Sequence, residues 1–181
     1  MWLGCMEMED QIPEIEIIGK SCRVYFTKNG IRTTVVDTGF GEVEFCTATC
    51  FAGVPIMIGN AAAKNKYGVI LKFYKLLDKD YLKRKSQQLT WITMNSSVME
   101  YVGKFDTSFG KQSLPIYMHL ALFVRRIVVA LEVDLQRPVR NVILTFPQLN
   151  QKYAESDILK KMIQTLDFKV EVKFGKKSNK K

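Results

Sequence analysis

Three small groups of residues in this chain of 181 residues have types and spacings that could do chemistry. Asp37-Thr38-Gly39 follows the apolar pair Val35-Val36, the local pattern around an aspartic-protease carboxylate. That chemistry needs two carboxylates sharing one proton, so a small chain would have to dimerise to use it. Phe40 stands where such enzymes usually carry Ala or Ser, and Asp-Thr-Gly is also ordinary turn chemistry. Cys46-x3-Cys50, with Cys22 upstream, could lend thiolates to zinc, but two-residue spacing would be the stronger signal and the single histidine, His119, lies in an apolar run. The cysteines therefore read as reduced, buried structural thiols, and His119 as a packed strand residue. Gly39-Phe40-Gly41 lacks the Lys-Ser/Thr of a phosphate loop, and no dinucleotide fingerprint occurs. These residues point to no catalytic group, no cofactor, no metal and no small-molecule substrate, and so to a protein that works by its surface.

The basic residues carry more information. The first 19 residues hold Glu7, Glu9, Asp10, Glu14 and Glu16 and no Lys or Arg, a charge of −5, while the remainder carries +14 within the overall +9. A body so charged attracts polyanions: nucleic acid, acidic lipid or an acidic protein. Lys79, Lys83, Arg84 and Lys85 form one cluster, preceded by Lys64, Lys66, Lys72 and Lys75. Arg137 and Arg140 flank Pro138, and Lys176, Lys177, Lys180 and Lys181 end the chain. Aromatic side chains interleave with them only near Tyr81 and Trp91, so contact with phosphate or lipid headgroups is expected rather than base reading. Tyr74-Lys75-Leu76-Leu77 matches a tyrosine-based sorting signal, but four such residues in an apolar run read as core.

The elements that must position these residues are legible in part. At 47% hydrophobic the chain can build a core, and its length suits one domain, residues 15–175, between an acidic N-terminal arm, 1–14, and a basic tail, 176–181. Trp2 and Leu3 at the tip of the arm, with Glu7, Glu9 and Asp10 behind them, could dock on the basic body of a neighbouring copy. Residues 15–26 are strand-like, Lys28-Asn29-Gly30 is a hairpin turn, and 31–36 make a second strand before a turn at 37–41. Residues 43–52 and 67–77 fit strand or helix, 53–66 are turn-rich, and 78–88 read as an exposed loop or short helix. Residues 89–102 alternate like a strand, and 103–115 read as an exposed loop. Ile127, Val129, Leu131 and Val133 recur at every second position, predicting a central strand with one face in the core. A further strand is expected at 141–146. Ser156-Asp157 offers an N-cap to a helix whose Ile158, Leu159, Met162, Ile163 and Leu166 share one face, with Lys160, Lys161 and Gln164 opposite. Phe168, Val170, Val172 and Phe174 alternate with Lys169, Glu171 and Lys173 in the clearest strand of the chain. The expected fold is one α+β domain: an antiparallel sheet with two or three helices packed on it, the C-terminal helix followed by a strand.

No secretory signal is read at the start, Gly4 is not at the position myristoylation requires, and Arg125-Arg126 interrupts the longest apolar run, so no membrane span is expected.

From residue 67 onward the order of features resembles the rhabdovirus matrix proteins. Gly68-Val69-Ile70-Leu71-Lys72-Phe73-Tyr74 is similar to their aromatic-Lys-apolar strand, Arg125-Arg126-Ile127 to their paired-arginine segment leading into a strand, and residues 156–174 to their lysine-bearing helix running into an alternating strand. The likeness covers about two thirds of the chain and is a pattern of elements rather than a motif. A Pro-Pro-x-Tyr budding motif is missing and the arm is acidic where the animal-virus proteins are lysine-rich, which is closer to the short matrix proteins of plant-infecting rhabdoviruses. The resemblance implies a non-enzymatic structural protein of the virion that self-associates, condenses the viral nucleocapsid and links the ribonucleoprotein to an anionic membrane surface during assembly and budding. It would be found in the virion and in host cytoplasm, peripheral to membrane, or in the nucleus. The alternative expectation is a basic nucleic-acid-binding viral regulator, a silencing suppressor or movement protein with RNA as its partner; a dimeric aspartic protease stands third.

Overall fold

The chain's longest apolar run is a helix. In the computed structural model, which describes residues 12–28, 31–35, 42–53, 55–88 and 91–175, residues 116–135 form one 20-residue helix against which the rest of the core is built. In chain order the elements begin with strands β1 (Glu14–Ile18), β2 (Ser21–Lys28), β3 (Ile31–Thr34), β4 (Glu44–Cys46), β5 (Ala48–Cys50) and β6 (Met57–Ile58). Helix α1 (Gly59–Lys64), strand β7 (Gly68–Ile70), and helices α2 (Phe73–Leu76) and α3 (Lys79–Ser86) follow. Then come β8 (Ile92–Asn95), β9 (Glu100–Thr107), β10 (Gly110–Pro115), α4 (Ile116–Leu135), β11 (Asn141–Phe146), a 3-10 turn (Gln151–Glu155), α5 (Asp157–Thr165) and β12 (Lys169–Phe174). The fold is mixed α+β, with the C-terminal helix leading into a strand.

The main sheet runs β12-β11-β1-β2-β3, with β4 also paired to β2. The β1–β2 and β2–β3 pairings are antiparallel, as expected, and Gly19 makes the first turn at a φ of 62°. Two pairings are parallel instead: β1 with β11 and β11 with β12. Parallel neighbours need a crossover, and α5 supplies it between β11 and β12. Alternation decides which face is buried. Ile15, Ile17, Cys22, Val24, Val142, Leu144 and Phe146 point into the core. On the other face Arg32 reaches Glu14 at 3.1 Å and Glu16 at 3.5 Å and stands 3.6 Å over the Tyr25 ring, while Thr145 Oγ1 donates to Glu14 at 2.7 Å. Glu14, the last residue assigned to the acidic arm, is therefore already part of the sheet.

Two smaller sheets complete the body: antiparallel β10-β9-β8 and antiparallel β6-β5-β7. Residues 103–115, expected as an exposed loop, are instead most of the β9–β10 hairpin, with Gly103 opposite Leu114. Residues 43–52 resolve as the two short strands β4 and β5, residues 67–77 as a strand followed by one helical turn, and the turn-rich 53–66 contains α1.

The expected strand at Ile127–Val133 is overturned. Its residues lie in α4, where Ile127 and Leu131 are buried while Val133 is 71% exposed. Over the whole run the buried positions are Ile116, His119, Leu120, Ala121, Phe123, Val124, Ile127, Val128 and Leu131, most of them recurring at spacings of three and four. β-branched residues lower helix propensity by only about 0.5 kcal/mol each, whereas burying a Val or Ile side chain contributes about 1.5–3 kcal/mol, so packing decides. A chain of aromatic contacts then joins the layers: Phe45 to Phe123 at 6.4 Å, Phe123 to Phe73 at 5.7 Å, Phe73 to Phe146 at 6.1 Å and Phe146 to Phe174 at 6.1 Å. The predicted helix at 156–166 is α5, with Leu159 and Met162 buried and Lys160, Lys161 and Gln164 exposed. Among the described residues no helix is long and apolar enough to cross a membrane.

Candidate polyanion-binding face

Helix α3 carries Lys79, Lys83, Arg84 and Lys85 in two turns. It forms because Asp78 caps it: the carboxylate accepts from the backbone N–H groups of Asp80 at 2.9 Å and Tyr81 at 3.0 Å. Leu82, fully buried, is its anchor in the core. Lys83, Arg84 and Lys85 occupy the last turn, where the negative end of the helix dipole favours cations. Lys79, Lys83 and Arg84 are exposed, and among the described residues none of the three is in an ion pair. Lys85 lies lower, its Nζ donating to Gln88 at 2.7 Å.

Other cations are partnered by acids and are part of the structure. Arg23 is paired with Glu44, Lys161 with Glu100, and Lys160 with Glu155 at 2.6 Å. Their hydrogen bonds to the carboxylates hold Lys160 and Lys161 above the ordinary lysine range. The paired arginines of α4 are structural as well. Arg125 spans to Glu132 at 3.5 Å and Asp167 at 3.3 Å, and Arg126 Nε donates to the carbonyl of Ile56 at 3.2 Å. The paired-arginine segment that the resemblance placed at the head of a strand is therefore helical.

Beside α3 lies a groove of about 410 Å³, walled by Tyr74, Tyr81 and Tyr153 and by Lys75, Arg84 and Lys85. Lys75 Nζ stands 5.6 Å from the Tyr74 ring centre and 5.5 Å from that of Tyr81, and Lys152 Nζ stands 5.1 Å from Tyr153. The consecutive helices α2 and α3 meet here with the 3-10 turn, some 65 residues further along the chain. Ser156 Oγ donates to the carbonyl of Leu77 at 3.0 Å and so ties the end of the 3-10 turn to the link between α2 and α3. Ser156, expected to cap α5 with its side chain, spends its hydroxyl on that tie.

Sequence reasoning found the four basic residues of α3 but missed Tyr74, Tyr153 and Lys152, which only the tertiary fold brings alongside them. Leu76 and Leu77 of the sorting-signal match are core, as expected, while Tyr74 and Lys75 are half-buried at the groove. Trp91 is not part of this face; its ring packs on Gly103 and lies 5.7 Å from His119.

Trp2, Leu3, Glu7, Glu9 and Asp10, like Lys176 and Lys177, lie outside the described residues, as do Cys5 and the Asp37-Thr38-Gly39 motif. The arm joins the body at Ile12 and Pro13, which line a cleft of about 240 Å³ together with Arg137 and Arg140. Cys22 and Cys50 are buried and Cys46 half-buried, all as free thiols, and burial pushes the Cys22 thiol up. Among the described residues no three His, Cys, Asp or Glu side chains are grouped to hold a metal.

His119 is buried, in α4 rather than in a strand, with Phe51, Phe105 and Trp91 around it at 5.1–5.7 Å. Its Nε2 donates to the Gly103 carbonyl at 3.3 Å, and burial lowers its pKa to about 4. A ring so enclosed by aromatic side chains is held as part of the packing, and its burial disfavours the charged form. Compared with protein-family models and with curated proteins, the chain matches none.

Proposed function

We propose that this chain is a non-enzymatic matrix-type structural protein, which meets polyanions through the α3 face and assembles with copies of itself to join a viral ribonucleoprotein to an anionic membrane surface. The observation that carries the reading is the cluster of Lys79, Lys83 and Arg84 on one short helix, exposed and in no ion pair among the described residues. A cluster of that kind lowers the local potential energy of any phosphate-bearing surface, and each lysine or arginine near an anionic membrane contributes about 1 kcal/mol. The acidic arm supports the assembly half of the reading. Ile12 and Pro13, which follow it, line a cleft with Arg137 and Arg140, and a basic cleft of that kind is a partner for an acidic arm of its own chain or of a neighbour. A contact of that kind is head-to-tail and propagates into filaments or helical sheets.

Flotation with anionic vesicles tests it. Wild-type protein is expected to float with vesicles at low salt and to be released as ionic strength rises. Replacing Lys83, Arg84 and Lys85 with Glu is expected to remove most of that binding. Unchanged flotation of the variant rules out this face as the membrane contact.

A second reading is the nucleic-acid-binding regulator, favoured by the three tyrosines at the α3 groove. Tight RNA binding by monomers or dimers, without assembly or vesicle binding, would select it.

A further inference from the structure

We infer that the groove beside α3 is a platform for a single-stranded nucleic acid, with bases against Tyr74, Tyr81 and Tyr153 and phosphates against Lys75, Arg84 and Lys85. This rests on the reading of α3 as a polyanion-binding face and assigns the groove beside it to the ribonucleoprotein side of that reading rather than to the membrane.

The groove pairs two chemistries that a single strand needs together. Its volume of about 410 Å³ falls in the ~300–1,000 Å³ range of small-ligand sites, room for a base with its sugar and phosphate. Any base can stack on a tyrosine ring, and the cations can meet the backbone. Lys75 stands between two of the rings, at 5.5 and 5.6 Å, so charge and ring surface meet in the same few ångströms.

The rings are also partly held, since all three are half-buried and pack against the core. The backbone of Tyr81 is tied by its N–H bond to Asp78, and the end of the 3-10 turn that carries Tyr153 by the Ser156–Leu77 hydrogen bond. Preorganised rings lose little freedom on binding.

Asp78 also lines the groove, where its carboxylate caps α3 by accepting from Asp80 and Tyr81. A headgroup would use the cations and leave three rings idle, whereas a strand uses both.

The test measures binding of the full chain to 12-nucleotide single strands of RNA and of DNA, to an abasic strand with the same phosphates, and to anionic vesicles. Either base-bearing strand is expected to bind at least tenfold more tightly than the abasic one, since stacking contributes about 1–3 kcal/mol per base. Whichever of RNA and DNA binds better names the source. Tyr81→Leu is expected to weaken strand binding about tenfold and leave the abasic strand unchanged, while Tyr81→Phe, which keeps the ring, retains wild-type affinity. Arg84→Glu, at an exposed position that leaves the fold intact, is expected to weaken both strands. Equal affinity for abasic and base-bearing strands overturns the platform but leaves the polyanion reading standing, as does vesicle binding that falls with Tyr81→Leu as far as strand binding does. Absence of binding to every strand and to vesicles overturns both.

Discussion

His119 Nε2 donates a hydrogen bond to the main-chain carbonyl of Gly103 at 3.3 Å, and the other ring nitrogen, Nδ1, is buried with no partner among the described residues. The bond fixes the tautomer, because a carbonyl can only accept. It also explains the glycine. A Cβ on residue 103 would lie 2.3 Å from the Trp91 ring and 2.9 Å from His119 Nε2.

An acid-sensitive fold follows. Burial lowers the His119 pKa to about 4, while the unfolded chain titrates near 6.5. The unfolded state therefore binds the proton first, so stability is full above pH 6.5 and declines as pH falls toward 4. The difference is worth about 3 kcal/mol at the lower end. Denaturant unfolding of wild type and His119→Leu across that window should show the variant with the shallower slope, and parallel slopes would remove His119 as the cause.

How much of this was legible in the sequence depended on the length of the repeat. β12 and α5 carry their own period within a few residues, and both form where the alternation and the helical face predicted. The run at 127–133 fits period two only when cut out of its context; extended back to Ile116, the buried positions follow the helical period. The hairpin of β9 and β10 was hidden by glycine, lysine and serine, because its outer strand is exposed and its partner's inward residues are few. The α3 cluster was visible as a run of like charge. So was Tyr81 beside it, but Tyr153 was not, since the 3-10 turn reaches the α2–α3 link only in the folded chain, where Ser156 bonds to the Leu77 carbonyl.

Gly68 should be intolerant of any side chain. A Cβ there would sit 1.9 Å from the carbonyl oxygen of Ala62, backbone that cannot swing aside. Overpacking of this kind costs about 1–3 kcal/mol. Gly68→Ala is expected to lower Tm by several degrees, at about 2–4 °C per kcal/mol for a chain of this size. Gly53→Ala, where nothing lies within 4 Å, is the matched control and should leave Tm unchanged. Equal Tm values for the two variants would contradict the close approach of α1 and β7.

Gln136 ends α4 in the left-handed region, at a φ of 51°. Its N–H donates to Val133 at 3.3 Å, so the conformation closes the last helical turn. A side chain in that region costs about 1 kcal/mol that glycine does not incur. Gln136→Gly is expected to raise stability by roughly that amount, less what glycine's extra freedom costs in the unfolded chain. Gln136→Val, β-branched and poorly suited to a positive φ, should do the opposite. Thermal melts of the three proteins order them as Gly, Gln, Val, and any other order refutes the strain assigned to this cap.

Removing residues 1–11 is expected to abolish assembly and leave the fold intact. The cut must stop there. Ile143 N–H donates to the Pro13 carbonyl at 2.9 Å, Glu14 pairs with Ile143 in the sheet, and its carboxylate takes the Thr145 hydroxyl and Arg32. A cut through residue 14 would remove these contacts at the centre of the main sheet and confound loss of assembly with loss of stability. The shorter deletion removes Trp2, Leu3, Glu7, Glu9 and Asp10, so the remaining chain loses three negative charges and the apolar tip. If arm and basic body attract each other between copies, light scattering at low salt should fall to the monomer level, and wild type should approach the same level in high salt. A truncated chain that scatters like wild type, with an unchanged melting curve, would remove the arm from the contact and leave assembly to the body alone.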